Sequence, residues 1–237
     1  MKALKALLMF AVVLGMIVAG ALSLWLGRGV KLAMERFGPG IIGAPVSVGA
    51  VVLTPWSGRG AITNLVIGNP PGFKGAHALK VGSVEVKIKL SSLATDTVVV
   101  ESVVVQEPEV LYEMGGGGSN LSRLQRNAEA AMPASGAAPA KSAPTKSLFI
   151  KDLRVSGGQV GLAASALGGQ GATIALPAVQ MRNLGGKGRS PAQAVSEVLG
   201  AISGSAGKAV SGLGAKALGD AASSVMGKLG GLLKGKR

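Results

Sequence analysis

Cysteine is absent from the 237 residues. Disulfides, thiolate metal sites and cysteine nucleophiles are therefore excluded. There is one histidine, His77, so no histidine pair and no HExxH zinc motif can form. Aromatic residues make up 3% of the chain, which leaves a core of Val, Ile, Leu and Ala. Charged residues make up 15%, below the usual share of about a quarter. Acidic residues are the scarcer kind, 11 against 25 basic ones, for a net charge of +14. Such a chain favours anionic surfaces, and both nucleic acid and acidic lipid headgroups qualify on charge alone.

The groups that catalysis needs are missing from the motifs that would use them. No GxSxG nucleophile elbow occurs. Lys208 and Lys228 each follow a glycine, but Ala209 and Leu229 stand where a P-loop requires Ser or Thr. The glycine run 115–118 is not a dinucleotide fingerprint, because Asn120 occupies the place of its last glycine. Glu107 and Glu109 flank Pro108 and read as solvated, and His77 alone reads as an ordinary surface residue. The expectation is a protein that is not an enzyme, with no catalytic residue, cofactor or metal. The basic residues are scattered, with no recognition motif or aromatic platform, so nucleic acid is not an expected partner.

What the chain does have begins with an uncharged apolar run over residues 6–27. About 20 such residues cross a bilayer core as a helix. Lys2 and Lys5 before the run favour a cytoplasmic N-terminus, and Arg28, Lys31 and Arg36 after it weaken that orientation. Trp25 sits near the far end, where an amphipathic ring prefers the interface. Ala19-Gly20-Ala21 offers a small-x-small cleavage site, but the run continues through Leu22, Leu24 and Leu26, too long for the centre of a signal peptide. Either reading exports the rest of the chain. Residues 1–36 are thus expected to be a membrane anchor, ended by Pro39 and Gly40.

Residues 41–184 read as a β-rich domain. Residues 83–90 alternate strictly, with Val84, Val86, Ile88 and Leu90 on one face and Ser83, Glu85, Lys87 and Lys89 on the other. Further strands are expected at 46–54, 61–68, 97–106, 148–156 and 173–181. A pattern apolar-x-x-apolar-x-apolar-x-x-Pro fits Ile62, Leu65, Ile67 and Pro70, and returns 38 residues later at Val100, Val103, Val105 and Pro108. It returns again after 50 residues at Ile150, Leu153 and Val155, with Gly158 in place of proline, and Leu176, Val179 and Met181 form a degenerate fourth copy. Repeated strand units of this kind extend a sheet with one long apolar face. Residues 115–146 read as a flexible loop, interrupted by a short helix near 120–131 capped by Ser119 or Asn120.

Residues 190–237 change period. Val195, Leu199, Ile202, Ala206 and Val210 begin a helical apolar stripe that runs among lysines and glycines. Each glycine weakens a helix by about 1 kcal/mol relative to alanine, so this basic amphipathic tail needs a surface. Its own β domain, a bilayer and a partner are all open to it.

The stretch from Gly43 to Tyr112 resembles the AsmA-like family of bacterial envelope proteins. The resemblance is carried, in order, by the apolar N-terminal segment, the strand at 46–53, Ser57-Gly58-Arg59-Gly60, the Ile62-x-x-Leu65-x-Ile67 strand, Gly68-Asn69-Pro70-Pro71-Gly72-Phe73, and the Val-rich pair ending at Pro108. It implies an inner-membrane, single-pass anchor, a periplasmic body, and phospholipid handling in envelope biogenesis. The implied fold is mainly β with flanking helices: a transmembrane helix, an open antiparallel groove-like sheet of repeated strand units, and a C-terminal amphipathic helix. An apolar sheet face must be covered, since large exposed apolar patches are rare. Acyl chains, the tail and a second subunit are the candidates. If lipid is the cover, Val84, Val86, Ile88, Val98, Val100 and Val104 are expected to line the face. The alternative is a structural or assembly factor that binds envelope proteins or itself through sheet edges.

Overall fold

The computed structural model describes residues 2–115, 117–131, 147–162, 173–186 and 192–212, with side chains of residues 2–14, 16 and 17 left out. It is mainly β, an open, curled sheet with helices against it. The order is α1 (Lys2–Ile42), β1 (Val46–Thr54), β2 (Arg59–Ile67), β3 (Leu79–Ile88), a 3-10 turn (Leu90–Ala94), β4 (Thr97–Gln106), β5 (Glu109–Tyr112), β6 (Met114–Gly115), β7 (Gly118–Ser119), α2 (Asn120–Ala130), β8 (Ser147–Ser156), β9 (Gln159–Leu162), β10 (Thr173–Ala175), β11 (Val179–Gly185) and α3 (residues 192–212).

β4 and β5 act as one long strand broken at Glu107-Pro108, and β8 and β9 as another broken at Gly157-Gly158. β1, β2, β3 and the β4–β5 strand pair antiparallel in turn. β4 then pairs parallel with β8, and β5 parallel with β9. β11 and β10 close the order, antiparallel to β8 and β9. The sheet is therefore mixed, a correction to the antiparallel expectation. A parallel pair needs a crossover of about a dozen residues or more, and the long segment carrying α2 between β5 and β8 supplies it. The 50-residue repeat is the register of that pair: Val100 lies beside Ile150, Val103 beside Leu153 and Val105 beside Val155.

The repeat pattern also explains the curl. Residues facing the core in β4–β5 are Val100, Val103, Val105 and Val110, and in β8–β9 Ile150, Leu153, Val155 and Val160. A flat strand would space them by two throughout. At several three-residue steps the extra residue is left-handed: Asn64 (φ 51), Glu107 (φ 50), Gly157 (φ 68) and Asn183 (φ 56). The partner strands take the same step with no loss of register, as Val48 to Val51 and Val81 to Val84 do beside Ile62 to Leu65, so the sheet bends as a unit along these positions. The fourth copy is split, with Leu176–Ala178 outside the strands β10 and β11.

α1 does not stop at Pro39. It runs on to Ile42 and ends at Gly43, which is left-handed (φ 65) and donates its N–H to the Pro39 carbonyl at 2.8 Å. Proline removes a donor four residues above the last turn, whereas a left-handed glycine supplies the actual stop. Asn127 of α2 donates to the Ile42 carbonyl at 2.9 Å and so caps the same end. α2 begins at Ser119, whose hydroxyl accepts the Ser122 N–H at 3.1 Å. It buries Leu121, Leu124 and Ala128. α3 buries Leu199, Ile202 and Ala206 of the expected stripe, with Val195 and Val210 packed beside them. The described part of the tail thus lies on the chain's own core; residues 213–237 lie outside the described set. Burying each such aliphatic side chain contributes about 1.5–3 kcal/mol.

Candidate functional site

α1 runs antiparallel along the outer edge of β1 and occupies the hydrogen-bonding groups that an edge strand leaves free. Ser23 donates its hydroxyl to the Leu53 carbonyl. Lys31 donates to the Gly49 carbonyl at 3.1 Å, and Glu35 accepts the Val48 N–H at 2.9 Å. Between them sits Gly27, where a β-carbon would fall on the Val51 carbonyl oxygen. Residues 23, 27, 31 and 35 are one helical stripe, four apart, so this edge contact is built into the helix period.

The helix leaves an apolar trough beneath it. At its N-terminal side a cavity of about 380 Å³ is walled by Leu26 and Val30 of α1, Leu53, Ile62, Val86 and Ile88 of the sheet, and Leu90 and Leu93 of the 3-10 turn. Further along, a second space of about 430 Å³ is walled by Val30, Met34, Phe37 and Ile41, by Leu65 and Ile67 of β2, and by Val195 of α3. Val30 borders both. Ile62, Leu65 and Ile67, the first copy of the repeat, form the floor. Almost no polar group enters either space.

The six residues expected to line an apolar face are divided. Val86 and Ile88 wall the trough. Val84 and Val100 are buried in the core beside it, and Val98 shares their face by alternation with Val100. Val104 does not: it pairs with Glu85 and borders a polar hollow with Arg59, Lys87 and Ser102 on the opposite face. The bulge between Val100 and Val103 reverses the alternation, which a period-two reading carried straight through. Leu26, Val30, Leu53 and Ile62 were not expected at this site. For Ile62 the repeat itself was the available signal; for Leu26 and Val30 a membrane reading of the helix hid their second role.

The polar residues of the 68–75 loop are structural. Asn69 donates to the Gly75 carbonyl at 2.9 Å, and Asn120 donates to the Asn69 side-chain oxygen at 2.8 Å and to the Leu111 carbonyl at 2.7 Å. The Asn120 oxygen accepts the N–H groups of Glu113 and Leu121. The buried Glu113 carboxylate accepts N–H groups of Lys74 and Gly75 at 2.7–3.1 Å. Asn120 is fully buried and fully bonded, the condition under which a buried amide is tolerated. His77 is not the free surface residue expected. Its side chain is 17% exposed, with Nε2 3.4 Å from Glu109 Oε1 and making no hydrogen bond.

The apolar run 6–27 lies within α1. Among the described residues no helix is long and apolar enough to cross a membrane, so the spanning reading rests on the sequence.

No curated protein matches the chain, and no solved structure does. The model of the AsmA family matches residues 41–209, from the end of α1 through most of α3. That span takes in the whole sheet, the trough floor and both packed helices, and the chain belongs to the AsmA family.

Proposed function

We propose that this is a non-enzymatic, membrane-anchored envelope protein that holds phospholipid acyl chains in the trough between α1 and β2–β3. The carrying observation is the composition of that trough: two neighbouring spaces with aliphatic walls that share Val30, the first beside the half of α1 that carries the apolar run. A straight acyl chain asks for such a space, and burying each of its methylenes contributes about 0.8 kcal/mol. AsmA membership agrees with an envelope role. The apolar run 6–27 supports an inner-membrane, single-pass anchor with the body in the periplasm. A phospholipid with a photoactivatable group in one acyl chain tests the reading in reconstituted full-length protein. Cross-links should fall on Ile62, Val86 and Ile88; cross-links confined to the Val104 face would contradict it.

One observation favours the assembly-factor reading. β1 is capped by α1, whereas β11, at the other edge, pairs only with β8 among the described strands. An open edge accepts an added strand from a partner or a second copy. Such a partner would protect the amides of β11 from exchange and leave those of β1 unchanged.

A further inference from the structure

We infer that the end of the sheet nearest the apolar half of α1 is a lip that sits in the surface of an anionic bilayer. The inference rests on the anchored reading above and specifies how the trough meets its lipid. Two turns make the lip. The β1–β2 turn exposes Trp56 at 63%, and the 3-10 turn exposes Leu90 at 40% and Leu93 at 47%. The turns are fixed together: Gly58, left-handed at φ 67, accepts the Ile88 N–H at 2.7 Å, and Leu90 packs against it. Within the 3-10 turn, buried Ser92 donates to the Lys89 carbonyl and accepts the Val99 N–H at 2.9 Å. That bond turns Ser92 inward and leaves Leu90 and Leu93 exposed together with Ser91. A turn in water alone would gain from the opposite arrangement.

The lip lies on the correct side. α1 and β1 run antiparallel, with Ser23 at Leu53 and Glu35 at Val48, so the apolar half of α1 projects past the β1–β2 turn. Trp25, 72% exposed, lies beside the end of β1 next to that turn, between Ser23 at Leu53 and Gly27 at Val51. Tryptophan favours the headgroup level of a bilayer. Arg59 lies opposite Lys87 at the same end, and Lys89 follows directly in the chain, against Glu85, which lines one hollow with Arg59 and Lys87, and Glu101, which is already paired with Lys87 at 2.8 Å. Basic residues close to an anionic surface contribute about 1 kcal/mol each. The first trough cavity has Leu90 and Leu93 in its wall, so the lip is also its rim. An acyl chain would pass from the bilayer between α1 and these two leucines without crossing water.

The chain has two tryptophans, so Trp25→Phe leaves Trp56 as the only reporter. Full-length protein with this change is reconstituted into vesicles of phosphatidylethanolamine and phosphatidylglycerol, with and without brominated acyl chains. Trp56 should be quenched by the brominated lipid, blue-shifted, and shielded from acrylamide. Lys87→Glu with Lys89→Glu should weaken that quenching in phosphatidylglycerol vesicles and leave it unchanged in phosphatidylcholine vesicles. Trp56 open to acrylamide and unquenched by brominated lipid overturns the lip, and it does so whether or not the chain stays with the vesicles after carbonate washing. Quenching of Trp56 in protein whose trough takes no photoactivatable lipid would sink the trough reading and leave the lip standing.

Discussion

Gly27 of α1 lies against Val51 of β1 so closely that a β-carbon would meet the Val51 carbonyl oxygen. This contact sets the height of α1 above the sheet edge, and with it the roof of the trough. Gly27→Val should force the helix outward and break the bonds from Ser23, Lys31 and Glu35 to β1. Overpacking of this kind costs about 1–3 kcal/mol. Amide exchange at Val48 should speed up markedly in the variant, while exchange in β8 stays slow. Unchanged protection at Val48 would mean that α1 does not hold the edge.

Asn120 joins Asn69, Leu111, Glu113 and Leu121 in one buried cluster. Asn120→Ala should leave several buried groups unsatisfied, each costing about 1–3 kcal/mol. Urea denaturation of detergent-solubilised protein should show a midpoint well below that of the wild type. Asn120→Asp keeps the acceptor but loses both donated bonds and adds charge near Glu113, so it should be no better than alanine.

Gly158 stands where the repeat has proline at 70 and 108. A β-carbon there would lie 2.8 Å from Pro108 and 2.9 Å from Leu176. Parallel pairing of β5 with β9 brings two copies of the same position side by side, and only one can carry a ring. Gly158→Ala should therefore lower the melting temperature although it makes the strand a better one locally; an unchanged or raised melting temperature would argue against this packing.

Lys87 holds the Glu101 carboxyl below the usual carboxylate range, chiefly by a side-chain hydrogen bond and its charge, with help from Lys151 and Lys89. A carboxyl with a lowered folded pKa contributes stability above its unfolded pKa and loses it as pH falls through the folded value. Glu101→Gln should flatten the acid limb of the stability profile as pH falls from the ordinary carboxylate range through the lower folded value. The effect should be small and should shrink with added salt, because the pair is exposed.

Much of the sheet was legible because its strands carry apolar residues in a fixed pattern. β1 and β4 fall on the residues expected, and the repeat of Val100, Val103 and Val105 at Ile150, Leu153 and Val155 turned out to be a ladder register. Direction was not legible: two copies of one pattern read alike whether they pair directly, as β4 and β8 do, or flank another strand, as β2 and β4 flank β3. Faces were misread where bulges occur, because Val104 and Val100 look equivalent until the extra residue between them is seen. The trough was hidden for a different reason. Its roof comes from a helix whose apolar residues were already explained by a bilayer, and no local pattern says that Leu26 and Val30 also face Ile62.

The most direct measurement is phospholipid per chain, by extraction and mass spectrometry, in detergent-purified wild type and in Ile62→Trp, whose larger ring fills the trough floor. The expected result is phospholipid retained by the wild type and several-fold less in a variant that still melts cooperatively. Equal lipid in both proteins, or a lipid-free wild type with a closed interior, would contradict acyl-chain binding between α1 and the sheet.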